Sequence, residues 1–285
     1  MVVLKTAVKK LVGLVTSCDI GFNLLRFVNK EKLLIIYYHR VVNERELVGV
    51  KLKDMCVDIS AFEAQMEFLS SRYNMVSERE VISAMKEGEP LRCSAWVTFD
   101  DGYKDNYTNA YPILRKHKIP ATFFVTTGLI NKQIVPPEVK GEDADKLFMS
   151  WDEIREMHNN GFFIGAHTVH HKILSSLPKE DVAKEISESK HEIERRLGAK
   201  IFSFAYPRGG KSDFNFKVCP PILKKYGFKL AVTTTGGNNG LTRDIDNFRL
   251  KRMGAAYGDP LSFFKFKVAT GSSWQGLLGR KRRNN

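Results

Sequence analysis

The amino-acid sequence predicts an α/β protein built on a barrel of mainly parallel strands. Three observations lead there. Short apolar runs alternate with amphipathic helical patterns about seven times along the 285 residues. No domain linker and no tandem repeat divides that succession. Four of the apolar runs stop at residues that carry chemistry, as strands do when their ends meet on one face of a barrel. About seven units suit one barrel better than two small domains; a doubly wound open sheet is the alternative.

The first element is a helix. Val8, Leu11, Val15, Cys18, Phe22 and Leu25 recur at spacings of three and four, with Lys9, Lys10, Thr16, Asp19, Asn23, Arg26 and Lys30 largely off that stripe. "KLLIIYY", Lys32 to Tyr38, reads as a buried strand ending at His39. "DISAFEAQMEFLSSRY" is a helix with Phe62, Met66 and Leu69 on one face. "SEREVISAMKEGEP" is a second helix: Ser77 and Glu80 form a capping box, and Gly88 and Pro90 stop it. "AWVTF", Ala95 to Phe99, is a strand that ends in Asp100, Asp101 and Gly102. "NAYPILRKHKI" reads as helix and "PATFFVTTG" as strand. Residues 131–147, with Pro136, Pro137 and Gly141 among charges, read as a loop. "SWDEIREMHNNG" is a helix capped by Ser150, with Glu153 at the third position and Gly161 as its stop. "FFIGAH" is a strand ending in His167. "LPKEDVAKEISESKHEIERRLG" is a long helix closed by Gly198. "KIFSFAYP" is a strand, "PPILKKYG" a helix and "FKLAVTTTGG" a strand. "NFRLKRMGA" is the last strand, and a short helix follows.

Composition bounds the function. With 43% hydrophobic and 27% charged residues the chain is an ordinary globular protein. Cys18, Cys56, Cys93 and Cys219 are far apart and form no CxxC pair, so no thiolate metal site or disulfide framework is indicated. The net charge of +13 is partly terminal, with Lys5, Lys9 and Lys10 at one end and Arg280, Lys281, Arg282 and Arg283 at the other. Such charge suits an anionic membrane surface, an anionic substrate or nucleic acid, and equally a solvated basic face. The N-terminal stripe with its basic flank suits docking on a membrane surface, or packing on the domain itself. Val15-Thr16-Ser17-Cys18 resembles a lipid-attachment box, but the apolar run from Leu11 to Val15 is very short for a signal-peptide core. The expectation is a cytoplasmic protein, peripheral on the inner face of the membrane, with lipoprotein export as the weaker alternative. Its expected divisions are a basic amphipathic helix (1–31), a catalytic barrel (32–271) and a basic tail (272–285).

The strand ends define a candidate site. Two adjacent carboxylates, Asp100 and Asp101, repel each other and are costly to desolvate. A cation beside them would make the pair tolerable. His167 and His171 are four residues apart, a spacing that in a helix or wound turn can aim both rings at one point. Two imidazoles and one carboxylate, Asp101, form a good site for Zn²⁺ or a related divalent ion, although His170 in "HTVHH" offers other pairs. Asp100 is then left free to act as a base on acidified water.

"TFDDGY" followed by "GAHTVHH" resembles the first two motifs of the polysaccharide deacetylases, the NodB-homology carbohydrate esterases of family 4. "MSWDEIREM", "ISESKHEIERRLG" and "FAYPRGG" follow in the expected order, so the resemblance runs from about Lys32 to Gly271. It implies a distorted (β/α)₇ barrel and metal-dependent removal of N-acetyl groups from N-acetylhexosamine units. It also implies Asp100 as base and Asp101, His167 and His171 as metal ligands, with His170 outside the ligand set. Zn²⁺ is the expected ion, with Co²⁺ or Ni²⁺ as alternatives.

Two departures matter. Where many members read R-x-P-Y, this chain has Ala205-Tyr206-Pro207-Arg208. The Arg208 N–H can still serve as oxyanion donor, since a backbone group survives substitution. The missing arginine, which in the family holds the base, has a candidate replacement in Arg252, with Arg249 second. No histidine follows His191, so the late catalytic histidine is absent; "YHRV" at Tyr38–Val41 resembles that motif in a permuted, exopolysaccharide-deacetylase-like arrangement. His39 is thus the candidate general acid. Expected partners are an N-acetylated glycan, polymeric or lipid-linked, and an anionic membrane surface, with no specific nucleic acid. The competing readings are a metal-dependent phosphoesterase, and a catalytically inactive deacetylase-like basic binding module.

Overall fold

The computed structural model describes residues 19–43, 53–134, 144–242 and 244–271. The N-terminal stripe before residue 19, the core of the loop at 135–143 and the basic tail from 272 lie outside the described residues. The chain opens with α1 (Asp19–Phe27), β1 (Lys32–Tyr38), β2 (Arg40–Val42) and β3 (Cys56–Asp58). Next come α2 (Ile59–Arg72), β4 (Asn74–Met75), α3 (Glu78–Glu87), β5 (Ser94–Phe99) and α4 (Tyr111–Lys116). After β6 (Ala121–Val125) follow α5 (Thr127–Ile130), α6 (Trp151–Asn159), β7 (Phe163–Ala166), α7 (Lys179–Leu197) and β8 (Ser203–Ala205). α8 (Cys219–Lys225), β9 (Leu230–Val232), β10 (Asn239–Gly240), β11 (Met253–Gly254) and α9 (Leu261–Thr270) complete it.

The strands close a ring. Parallel pairing runs β1–β5–β6–β7–β8–β9, and β11 lies parallel on the other side of β1. A bridge between Val232 and Leu250 joins β9 to the stretch leading into β11. The result is a distorted (β/α)₇ barrel, with β10 and β4 as short additions on β1 and β5.

Side-chain alternation along the strands sets its two cores. Leu34, Ile36 and Tyr38 of β1 and Ala95, Val97 and Phe99 of β5 face the helices. Leu33, Ile35, Trp96, Phe124, Leu230 and Val232 fill the interior, and Val81, Ala84 and Met85 of α3 pack with them as a floor. The helix signals read from sequence take physical form. Ser77–Glu80 and Ser150–Glu153 are reciprocal capping boxes. Gly198 ends α7 at φ 66, a left-handed conformation glycine adopts without steric cost. In α1, Phe22 is buried edge-on against Phe68 and Tyr73, so this helix packs on its own domain. No helix among the described residues is long and apolar enough to cross a membrane.

The expected loop at 131–147 ends in a helical turn, Ala144–Leu147, and three further stretches that differ from the sequence expectation bear on the site. The strand expected over "PATFFVTTG" stops at Val125, and Thr127–Ile130 turn into α5. The N–H groups of Thr127 and Gly128 there bond the carbonyls of Thr168 and Val169. The expected helix over "NAYPILRKHKI" is led in by a π-helical turn, Asn106–Ala110, which takes its first two residues before α4. The last strand shrinks to Met253–Gly254 because the Asn239 side chain takes both backbone groups of Lys251, accepting at 2.8 Å and donating at 2.9 Å.

Candidate metal centre

Asp101 follows β5, and His167 follows β7 directly, so both stand at the C-terminal mouth of the barrel. Asp101 Oδ1 lies 3.3 Å from His167 Nε2 and 3.3 Å from His171 Nε2. Among the described residues these three form the one group of histidine, cysteine and carboxylate side chains that could hold a metal ion. The turn carrying the histidines is not helical. Thr168 and His171 adopt φ 67 and 53, and Asp101 φ 76. Such left-handed conformations cost non-glycine residues about 1–3 kcal/mol each and cluster at functional sites.

The donor set fits a divalent cation. Asp101 Oδ1 is buried without a hydrogen-bond partner among the described residues, an expensive condition unless a cation meets it. His167 Nδ1 lies 2.8 Å from the Ala205 carbonyl, so its proton belongs there and its Nε2 lone pair faces Asp101. Burial opposes a charged imidazole at His171 and lowers its pKa, against the attraction of Asp101. Burial likewise opposes charge on His167, but Asp101 and Asp100 outweigh it and raise that pKa, so protons compete with a cation there. Burial would raise the Asp101 carboxyl, yet His171, His167 and His39 together hold it below the usual range. The His171 side chain is 35% exposed against 2% for His167, so the centre opens to solvent on the His171 side.

Asp100 is held differently. Arg252, fully buried, grips it with two bonds of 2.7 Å, Nη1 to Oδ1 and Nη2 to Oδ2. The guanidinium also donates to Thr98 Oγ1 and the Thr233 carbonyl, and sits 4.7 Å from the Tyr37 ring centre. Burial pushes the Asp100 carboxyl up, but Arg252 and then His167 overcome it and keep it below the ordinary carboxylate value. A metal-ready triad beside an ionised, arginine-clamped carboxylate is hydrolytic equipment.

A profile of the polysaccharide deacetylase family matches residues 87–231, just over half of the chain. The chain belongs to that family. Its members are hydrolases that act on amide bonds. The poly-beta-1,6-N-acetyl-D-glucosamine N-deacetylase of Staphylococcus aureus is 29% identical over 216 residues, 69% of this chain and 71% of its own. The Bacillus subtilis protein YxkH is 28% identical over 229 residues, 80% of this chain and 72% of its own. The structure of the Streptococcus pyogenes deacetylase PplD in complex with acetate superposes with a TM-score of 0.66 at 26% identity, over 80% of this chain and 93% of its own.

The deacetylase barrel places the remaining candidates as follows. His39, at the end of β1, is half-buried, edge-on to Tyr37 with ring centres 5.6 Å apart. It is close enough to depress the carboxyls of both Asp100 and Asp101. Arg208 is exposed on the turn after β8 at φ 58, and its carbonyl accepts from Thr234 Oγ1. Arg249 stands apart from Asp100, over the Phe216 ring and paired with Asp246, so Arg252 alone of the two arginines reaches the carboxylate. His170 turns away from the triad to Glu185.

Sequence reading missed the residues that hold these parts. Asp105 accepts from Arg40 Nε at 2.8 Å and from the Val41 N–H at 2.9 Å. Asn106 donates to the His39 carbonyl at 2.6 Å, and Asn109 to the Val41 carbonyl at 2.8 Å. The π-helical turn thus grips the "YHRV" segment; a helix pattern that begins with asparagines and an acid was the available signal. Glu185 was missed as well, although it stands on the buried side of α7 near Val182 and Ile186. A charge on an apolar stripe was its signal.

Proposed function

We propose that the chain is a divalent-cation-dependent N-deacetylase that hydrolyses the acetamide groups of N-acetylglucosamine units in a polysaccharide. The observation that carries this reading is the convergence of Asp101, His167 and His171 beside an Asp100 clamped by Arg252. The activity named for the S. aureus relative and the acetate bound to PplD support it. Asp101, His167 and His171 would hold the cation; two imidazoles with one carboxylate suit Zn²⁺, the ion proposed, with Co²⁺ or Ni²⁺ as alternatives. When bound, it supplies Lewis acidity toward the amide carbonyl and makes water easier to deprotonate.

The chain's own residues do the rest. Asp100, ionised at neutral pH, accepts a proton from the attacking water while Arg252 fixes both of its oxygens. The Arg208 N–H donates to the developing oxyanion; a single donor of this kind is worth about 2.7–4 kcal/mol. Protonated His39 gives its proton to the departing nitrogen. The C–N bond breaks, a C–O bond forms, and acetate and a free amino sugar result.

Acetate release from β-1,6-linked N-acetylglucosamine oligomers, measured beside chitin oligomers, tests the proposal. Release from the β-1,6 series, abolished by chelator and restored by zinc, is expected. A zinc-loaded protein that releases no acetate from any N-acetylated glycan refutes it.

A further inference from the structure

We propose that Glu185 is a positioning residue that clamps the His167–His171 turn from α7 and selects which histidines ligate. The proposal rests on the reading of Asp101, His167 and His171 as a cation site. The turn between Ala166 and Lys172 has neither helical nor strand bonding of its own, and it carries two left-handed non-glycine residues. Its own bond is the His171 N–H to Thr168 Oγ1 at 3.0 Å, and the rest of its support comes from outside. Glu185 Oε2 accepts from the N–H groups of Val169 and His170, both at 2.9 Å. Its Oε1 lies 2.7 Å from His170 Nδ1. With 6% of its surface exposed, the carboxylate is nearly buried, and three hydrogen bonds to charge compensate it.

The opposite side of the turn is held by α5. Thr127 N–H donates to the Thr168 carbonyl at 3.2 Å and Gly128 N–H to the Val169 carbonyl at 2.9 Å. A Cβ at position 128 would sit 2.4 Å from that oxygen, so only glycine permits the approach. These two clamps grip the turn from both sides. Its conformation sets the His167 and His171 rings 4.9 Å apart and sends both Nε2 atoms to Asp101. It also decides among three histidines. His170, next to His171, has its Nδ1 engaged by Glu185 and is drawn away from the centre. Without the carboxylate, the buried Val169 N–H and the partly buried His170 N–H lose their acceptor, and the His170 ring is released to compete.

The test uses the full chain stripped of metal. Zn²⁺ affinity is measured by competition with a chromophoric chelator, with near-ultraviolet circular dichroism as the check on folding. Glu185→Ala is expected to bind Zn²⁺ about 10–100-fold more weakly. Glu185→Gln, which keeps an acceptor for the two N–H groups, is expected to fall between it and wild type, about 3–10-fold weaker than wild type. Glu188→Ala, exposed one turn further along α7, is expected to match wild type. A folded Glu185→Ala within twofold of wild type overturns the proposal, as does wild-type protein that binds no zinc. Should Glu185→Ala fail to fold, Glu185→Gln decides, and wild-type affinity there overturns it. This titration contains no substrate and so does not bear on the deacetylase reading; a zinc-binding wild type that releases no acetate in the separate glycan assay would sink that reading and leave the clamp standing.

Discussion

Arg252 is where the barrel interior and the proposed base meet, and replacing it with methionine isolates its contribution. Methionine keeps an apolar stem to pack near Tyr37 and Phe124 but removes every donor. Lost are the two bonds of 2.7 Å to Asp100 and those to Thr98 and Thr233. Asp100 is 2% exposed, so its charge would be left buried and unpaired. Breaking a buried pair from one side costs about 3–5 kcal/mol. Arg252→Met/Asp100→Asn removes the orphaned charge as well and should recover about half of that loss or more. The pH dependence carries the sign. In wild type the Asp100 pKa lies below its unfolded value of 3.8, so its stabilisation is present above 3.8 and lost as pH falls through the folded value. In Arg252→Met, burial, the largest influence, is opposed by His167 and His39 alone and is expected to carry the folded pKa above 3.8. The variant then loses stability as pH rises, and its deficit against wild type shrinks on acidification. Urea unfolding of the metal-free protein at pH 7.5 and pH 5 reads both quantities. A deficit under about 1 kcal/mol, equal at the two pH values, would refute the assignment of Arg252 as the group that keeps Asp100 ionised.

Four further outcomes are expected. Asp100→Asn should lower kcat about 10²–10⁴-fold with zinc content unchanged; full activity would remove it as the base. His167→Ala and His171→Ala should each lose bound zinc by elemental analysis, and a full equivalent in either variant contradicts its place among the ligands. His39→Ala should lower kcat by a similar 10²–10⁴-fold while keeping zinc, and wild-type turnover would exclude it as the acid. Burial raises Glu78, on the barrel floor against Ser203 and Thr122, from 4.5 to about 7. The folded state thus keeps a proton that the unfolded chain sheds, and stability should fall as pH rises from 4.5 to 7, by about 3 kcal/mol. Glu78→Gln should flatten that slope in urea unfolding; an unaltered slope disproves the linkage.

The parts of the fold legible in sequence are those whose cause is local. A serine three residues before a glutamate makes its own capping box at Ser77 and Ser150, whatever surrounds it. The alternation around Trp96 and Thr98 places Asp100 on the interior side without knowledge of its neighbours. The triad was legible too, because an aspartate and a histidine, types with few other reasons to stand there, follow the ends of apolar strands, and a second histidine comes four residues later. What stayed hidden depends on partners distant in the chain. Glu78 reads as a first-turn acid of an exposed helix and is instead buried, because its helix plugs the barrel and Ser203 donates to it from 125 residues away. Glu185 and Asn106 look like ordinary polar positions on helices until the turns they hold are folded against them. Gly128 reads as the end of a strand, and its necessity is visible only in the closeness of Val169.

Ring closure explains how the chain can depart from the family's motif order and still assemble these groups. Arg252 precedes β11, His39 follows β1 and Asp100 follows β5, and these strands are consecutive neighbours, with Met253 beside Ile36 and Ile36 beside Val97. The arginine that the motif resemblance leads one to expect at the end of β8, where Ala205 gives only its carbonyl to His167, can be supplied from across the barrel. A buried guanidinium at the level of Thr98 reaches the same carboxylate from the other side. The same closure makes first and last strands equivalent as sources of a histidine, since each borders the mouth next to β5 or one strand away. A residue's distance in sequence from the centre therefore says little about its chemistry in this architecture. Its position at a strand's C-terminal end, and the parity that turns it inward, say most of it.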